Sequence, residues 1–150
     1  MLIFAGAFEH RIDGQGRVSV PARFRAAFNE GMILSKSYDN CVLVYTVSEW
    51  ETVAAELARR PANLVAARRL NRHTFSGAYP TSLDRNGRVL LPPQLRNYAS
   101  LVDDVVIVGT GRFVEIWDNK EWFRENQTLD SEAASIAETA PVVVPGGQGS

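Results

Sequence analysis

The stretch HRIDGQGRVSVPARFR, residues 10–25, is written a second time as TSLDRNGRVLLPPQLR, residues 81–96. At an offset of 71 residues, six residues of the first copy recur unchanged: Asp13, Gly16, Arg17, Val18, Pro21 and Arg25. Their counterparts are Asp84, Gly87, Arg88, Val89, Pro92 and Arg96. Chance does not readily give six identities within so short a stretch. We therefore interpret the chain as a tandem duplication of a unit of about 50 residues.

Each unit predicts the same order of elements. The first contains a strand (7–12), a tight turn (13–16), a strand (17–20), a short helix opened by proline (21–31) and two further strands (32–36 and 41–46). The turn begins with an aspartate, which can accept hydrogen bonds from nearby backbone, and ends with a glycine, which tolerates positive φ. The second unit repeats this order. Each unit then closes with a helix, for which the pairs Ser48–Glu51 and Asp118–Glu121 are typical of a capping box.

The pattern predicts an α+β fold of two small tandem units with short helices. We place the first unit at 1–60, a basic helical linker at 61–78, the second unit at 79–127 and a mobile tail at 128–150. The tail has little regular periodicity apart from a short run of valines.

Composition indicates a globular protein without a membrane span or a disulfide framework. Hydrophobic residues make up 45% and charged residues 22% of the 150 residues. The apolar N-terminus lacks a basic start and reads as a strand rather than a signal peptide, which predicts a cytoplasmic protein. The single cysteine, Cys41, lies in an apolar run, so we expect a buried and inert thiol.

Basic charge is concentrated in one region, although the formal net charge is only −1. Residues 57–96 contain eight arginines and one acidic residue, Asp84. Of the cationic side chains, 14 are arginine and two are lysine. Arginine suits phosphate oxygens and guanine edges because its guanidinium is a planar fork of donors. A local patch of this kind bears on binding partners more than the net charge does. A solvated helix face remains the alternative for the arginines between the two units.

The two turns are the candidate functional site. Asp13 and Arg17 are four residues apart across a tight reversal, and so are Asp84 and Arg88, so we expect each carboxylate to approach its own arginine. One interpretation is a local ion pair that fixes a hairpin, although exposed pairs contribute only about 0–1 kcal/mol. The other is a guanidinium oriented for DNA, where a bidentate contact to guanine discriminates by about 1–3 kcal/mol. Both remain open on these residues alone.

The sequence offers little for catalysis or metal binding. The only histidines are His10 and His73, and neither has a cysteine, an acid or a second histidine at ligand spacing. GTGRF, residues 109–113, lacks the full dinucleotide or P-loop pattern and indicates a hairpin turn. We predict no enzyme, no metal, no cofactor and no small-molecule substrate. A protein-interaction module remains the rival to DNA binding.

Taken together, GAFEHRIDGQGRVSVPARFR (6–25) and LDRNGRVLLPPQLR (83–96) resemble the MraZ family of bacterial transcriptional regulators. The resemblance covers residues 1 to 127. It implies two tandem SpoVT-AbrB-like β-barrel units, of a swapped-hairpin type, that pack against each other. It also implies ring-shaped homo-oligomers in the cytoplasm and nucleoid, which bind repeated boxes of double-stranded promoter DNA ahead of the division and cell-wall gene cluster. The sign of regulation, as repressor or activator, stays open.

The resemblance implies that Asp13, Arg17, Asp84 and Arg88 meet DNA, and the chemistry of neighbouring and other basic side chains adds further candidates. The DNA-binding set is Asp13, Gln15, Arg17, Asp84, Arg85, Asn86 and Arg88, and the expected phosphate contacts are Arg11, Arg59 and Arg60. Relatives often carry lysine where this chain has Gln15 and Asn86. The departure removes two phosphate-contacting charges, which favours weaker or more salt-sensitive binding by each unit.

Overall fold

The computed structural model describes residues 2–141, and all five helices and eight strands below lie within them. The chain divides into a compact unit, Met1–Asn119, and the segment Lys120–Ser150. The strands are β1 Ala7–Arg11, β2 Arg17–Ser19, β3 Met32–Lys36, β4 Val42–Thr46, β5 Tyr79–Thr81, β6 Arg88–Leu90, β7 Asp104–Gly109 and β8 Val114–Asp118. The helices are α1 Ala22–Arg25, α2 Val47–Ala58, α3 Val65–Ser76, α4 Pro93–Tyr98 and α5 Asn119–Thr139, and a 3-10 turn, Ala26–Phe28, extends α1.

A six-stranded antiparallel sheet forms the centre of the compact unit, in the order β1-β7-β8-β4-β3-β5. The order shows that the repeats exchange strands. The first strand of repeat one, β1, pairs with β7 of repeat two, and the first strand of repeat two, β5, pairs with β3 of repeat one. The equivalent strands β4 and β8 pair at the centre of the sheet. Neither repeat can complete its sheet alone, so the two fold as one body.

The second sheet is a two-stranded ribbon that contains one strand from each repeat. Here β2 pairs antiparallel with β6, and Val18 lies opposite Val89. Both valines are almost fully buried, at 1% and 0% exposure. Beyond the strands, Val20 N donates to Gly87 O and Leu91 N donates to Gly16 O, both at 2.9 Å. The ribbon thereby places the turn of each repeat against the strand of the other.

These observations confirm the α+β class and the exchanged, tandem architecture, but they correct the expectation of a closed barrel. In the described part of the chain, 2–141, both sheets are open. The hydrogen-bonded ladder of the larger sheet ends at β1 on one side and at β5 on the other, and no ladder joins those two edges.

The main core fills the space between the larger sheet and the ribbon. It includes Leu34 and Val44 from the sheet and Val18 and Val89 from the ribbon. Phe24 and Phe28 are 3% and 2% exposed and pack on Phe4.

The opposite face of the larger sheet carries a smaller cluster of Ile33, Leu43 and Tyr45, against which Trp50 of α2 packs. Since successive strand residues face opposite sides, α2 and the ribbon lie on different faces of the sheet.

Two expectations about the helices were wrong. Thr46, not Ser48, caps α2, and its hydroxyl accepts a hydrogen bond from Glu49 N at 3.1 Å. The helix begins one residue after the end of β4, which leaves no room for a cap at Ser48. The tail was expected to lack regular structure, but α5 continues through residues 128–139. Alanine and glutamate in this stretch favour a helix without strong hydrophobic periodicity. Residues 142–150 lie outside the described residues.

Two arginines each pack against the turn of the other repeat. Arg25 Nε donates to Val20 O at 2.8 Å, and its guanidinium lies against Gly87 of the other repeat. Arg96 Nε donates to Leu91 O at 3.1 Å and lies against Gly16 in the same way. Sequence reasoning found both arginines as repeat identities but gave them no role.

We expect Gly87→Ala to lower the free energy of unfolding by about 1–3 kcal/mol, because the glycine has φ +76° and an L-residue there is strained. An added Cβ would also lie 2.8 Å from Arg25 Cδ and closer still to Nε. Gly14→Ala is the matched control, because no atom lies within 4 Å of its added Cβ. Urea denaturation should show the control within about 0.5 kcal/mol of wild type. Equal losses at both glycines would contradict this account of the turn.

Candidate nucleic-acid interface

The first turn is fixed by its aspartate. Asp13 Oδ1 accepts hydrogen bonds from Gln15 N at 2.8 Å and from Arg17 N at 3.0 Å. The backbone closes the same loop, because Asp13 N donates to Arg17 O at 2.8 Å and Gly16 N donates to Asp13 O at 3.0 Å. Gly16 takes φ +81°, as the turn predicts. The turn therefore presents Gln15 and Arg17 from a rigid loop.

The second turn reproduces this geometry. Asp84 Oδ1 accepts from Asn86 N at 2.9 Å and from Arg88 N at 3.0 Å. Asp84 N donates to Arg88 O at 2.8 Å. The role predicted for the two aspartates, as acceptors for turn backbone, is confirmed.

These hydrogen bonds lower the pKa of both carboxyl groups from the usual 3.8. For Asp13 the largest cause is the backbone hydrogen bond from Arg17, followed by that from Gln15. For Asp84 it is the backbone hydrogen bond from Arg88. Both groups are therefore ionised at neutral pH and can hold a guanidinium.

The arginines, in contrast, break the symmetry of the repeats. Arg88 lies between two carboxylates, with Nε 3.1 Å from Asp84 Oδ2 and Nη1 3.5 Å from Asp13 Oδ2. Arg17 Nη1 instead donates to Gln15 Oε1. The expected pair Asp84–Arg88 forms, whereas the expected pair Asp13–Arg17 is corrected: Asp13 faces Arg88 of the other repeat. The ribbon causes this, because antiparallel pairing sets Ser19 opposite Arg88 and brings the two turns together.

The surrounding polar side chains also reach solvent. Gln15, Arg85 and Asn86 are exposed. Arg11, at the end of β1 and two residues before the first turn, lies 3.3 Å from Asp104 Oδ1 through its Nε. Both partners are largely exposed, so this ion pair leaves Arg11 open to other ligands.

Arg59 and Arg60 lie elsewhere. They follow the end of α2, on the face of the larger sheet opposite the ribbon, and Arg59 is paired with Glu56. The structure therefore does not bring them to the turns.

The remaining titratable candidates are not turn residues. Burial raises the pKa of the Cys41 thiol, which is 0% exposed, as expected of a buried cysteine. His10 is half-buried, and desolvation followed by the charge of Arg25 lowers its pKa below 6.5. Within residues 2–141 no group of three or more metal-ligating side chains comes together, and no helix there is long and apolar enough to cross a membrane.

A family model described as "MraZ protein, putative antitoxin-like" matches the chain twice, over residues 3–73 and 74–143. The two matches begin 71 residues apart, which is the offset of the sequence repeat. The chain belongs to the MraZ family.

Relatives of the MraZ chain cover almost its whole length. Proteins named "Transcriptional regulator MraZ" from Roseiflexus sp. (strain RS-1) and Desulforamulus reducens are 39% and 42% identical over 136 residues. Each alignment covers 91% of this chain and 95% or 96% of the relative. The chain is thus a member of the MraZ transcriptional regulator family. The two segments that match the family model are longer than the units predicted from sequence, since the first segment contains most of α3. The domain boundaries proposed from sequence stay a prediction.

The lowered pKa of Asp13 and Asp84 predicts how stability depends on pH. A carboxyl with a lower pKa in the folded chain stabilises the fold above its unfolded pKa, and the stabilisation is lost as pH falls through the folded pKa. We expect wild type to exceed Asp13→Asn/Asp84→Asn in free energy of unfolding at neutral pH. That difference should shrink as pH falls below 3.8.

Urea denaturation across this pH range checks the expectation. Asp130→Asn/Glu138→Gln removes the same charge from exposed positions on α5 and serves as the control. A stability difference for the turn variant that does not change with pH would rule out the carboxylates as its source.

Proposed function

We propose that this MraZ chain is a sequence-specific DNA-binding regulator that uses its paired turns to hold double-stranded promoter DNA. It would act in the cytoplasm, at the nucleoid. The observation that carries the proposal is the ribbon β2–β6, which holds the Asp-x-x-x-Arg turns of both repeats side by side, joined by Arg88. A two-stranded ribbon is narrow enough to enter a major groove.

The asymmetry of the turns suggests separate roles for the two arginines. Arg88 lies between two carboxylates, which would repel phosphates, so its main role is to hold the turns together and in orientation. Arg17 is held by the neutral amide of Gln15, so its positive charge is not offset within the pair. We therefore propose Arg17 as the arginine that reaches farthest into the DNA, with Arg88 contributing contacts and position.

The other predicted DNA-binding residues fit around this centre. Gln15, Arg85 and Asn86 are exposed on the turns and can donate to base edges or phosphates. Arg11 is suited to a phosphate beside the first turn. Arg59 and Arg60 would need DNA on the other face of the sheet, so we propose them only as accessory phosphate contacts.

We expect Arg17→Ala/Arg88→Ala to abolish the mobility shift of DNA from upstream of the gene, because both turn guanidinium groups are removed. Arg17→Lys/Arg88→Lys keeps the positive charge but lacks the planar guanidinium that can form two parallel hydrogen bonds. This variant should bind with reduced preference for promoter over mixed-sequence DNA, by about 1–3 kcal/mol for each bidentate arginine–guanine pair that the lysine cannot form. Binding should weaken as salt rises.

Wild-type affinity that is independent of salt, or an unchanged shift by the alanine variant, would favour the rival, a protein-interaction module. Circular dichroism should accompany the assay, since Arg88 also bridges the turns. If the alanine variant is unfolded, the lysine variant decides, because it can retain both ion pairs.

We further propose a ring-shaped homo-oligomer that binds repeated promoter boxes ahead of the division and cell-wall gene cluster. The support is family membership together with the small size of each site. Several ribbons at fixed spacing would engage several boxes at once, and each later contact would gain from a high effective concentration. Closed symmetry would limit the assembly to a defined number of subunits.

Mass photometry should therefore find a single oligomer larger than a dimer, and footprinting should find regularly spaced protected boxes. We expect DNA with tandem boxes to bind at least tenfold more tightly than DNA with one box, because linked sites gain roughly 10²–10⁴ in avidity. A monomer with full affinity for tandem boxes would exclude the ring as the cause.

A further inference from the structure

A second basic surface lies on α3, outside the paired turns. It contains three exposed arginines: Arg68 and Arg69 are adjacent, and Arg72 lies four residues after the first and three after the second. Ala67 and Thr74, the buried residues of α3, lie on the opposite side of the helix. We call Arg68, Arg69 and Arg72 the arginine stripe.

The helix itself is firmly held. Phe75 contacts Trp50 of α2 at 5.8 Å between ring centroids, and Gly77, just after α3, packs on the side chain of Lys36. On its other flank, His73 lies 5.9 Å from the ring of Tyr98, whose hydroxyl donates to Ser37 O at 2.5 Å. The arginine stripe is therefore presented from a fixed helix rather than from a loose linker.

The stripe is electrostatically unfavourable within the chain. Like charges three and four residues apart destabilise a helix by about 0.2–0.5 kcal/mol for each pair. No acidic residue occurs in α3, and no ion pair between the stripe and an acidic side chain is present in residues 2–141. Arg68 Nη1 donates to Ala62 O at 2.9 Å, but a carbonyl does not neutralise it. A polyanion would remove the repulsion.

We propose that the arginine stripe is a second DNA contact, which holds the phosphate backbone of a duplex without regard to its base sequence. The proposal rests on the proposed DNA-binding function. Four residues of helix rise about 6 Å, and one DNA strand carries a phosphate about every 3.4 Å along the axis. The stripe therefore matches about two phosphates.

The chemistry favours DNA over an acidic protein. Hot spots of protein interfaces are enriched in tryptophan and tyrosine as well as arginine, and α3 contains neither aromatic residue. The stripe contains only arginines, which pair bidentately with phosphate. Phosphate contacts position a duplex but carry no sequence information. Because α3 packs on α2, on the face of the larger sheet opposite the ribbon, the stripe would hold phosphates on the same side of the sheet as Arg59 and Arg60.

The test is Arg69→Gln/Arg72→Gln in the full chain, measured by fluorescence anisotropy on upstream DNA and on a mixed-sequence duplex. Arg68 is left unchanged because it also bonds Ala62 O. The magnitude of the slope of log K against log salt should fall by about 2, so wild type should lose about tenfold more affinity than the variant between about 50 and 200 mM salt. Both duplexes should weaken by the same factor.

Arg112→Gln/Arg124→Gln is the matched control, since it removes the same charge from other exposed positions. Its slope should stay close to that of wild type. If the stripe variant keeps the wild-type slope, or if the control loses as much slope, the proposal is overturned. Arg72→Gln alone, with an expected loss of about 1 in slope, decides the matter if the double variant is unfolded. No binding of DNA by wild type would refute the proposed function itself.

Discussion

The buried pairing of β2 with β6 is the contact on which the other features of the fold depend. Val18 and Val89 meet at its centre, and both are withdrawn almost completely from water. Because one strand comes from each repeat, this contact cannot form within either repeat alone. It also places Arg25 and Arg96 each against the turn glycine of the other repeat. The repeated motif therefore stabilises the contact between the two repeats, and each copy needs the other copy to make its contacts.

Symmetry in the sequence does not produce symmetry at the site. Both aspartates fix their own turn backbone in the same way, so each uses one carboxylate oxygen there. The remaining oxygens of Asp13 and Asp84 converge on Arg88. One guanidinium is thereby held by two charges, and Arg17 is left with a neutral partner, Gln15. Two copies of one Asp-x-x-x-Arg motif can therefore differ in role: one arginine is fixed by ion pairs, while the other keeps a positive charge that no carboxylate offsets.

Much of the local structure followed from the sequence, because it depends on neighbouring residues. The strands, the proline-opened helices and the aspartate turns were predicted correctly, since periodicity and turn chemistry are local. Strand propensity does not specify a pairing partner, so the strand patterns alone did not predict that β1 and β5 pair with strands of the other repeat. For the same reason the pairing of Asp13 with Arg88 was missed. The helix through 128–139 was missed because its alanines and polar residues give a weak periodic signal.

The charge distribution then explains how a chain of net charge −1 can meet a polyanion. At the turns, the two carboxylates around Arg88 would repel phosphates, so the proposed reading of DNA there would come with weaker attraction. Positive charge without such compensation lies on Arg17 and on α3. If the turns read the base sequence and the arginine stripe attracts the phosphates, neither surface needs to bind DNA tightly by itself. Under the two proposals, the turns would read the duplex and the arginine stripe would attract it, and rising salt would weaken both contacts.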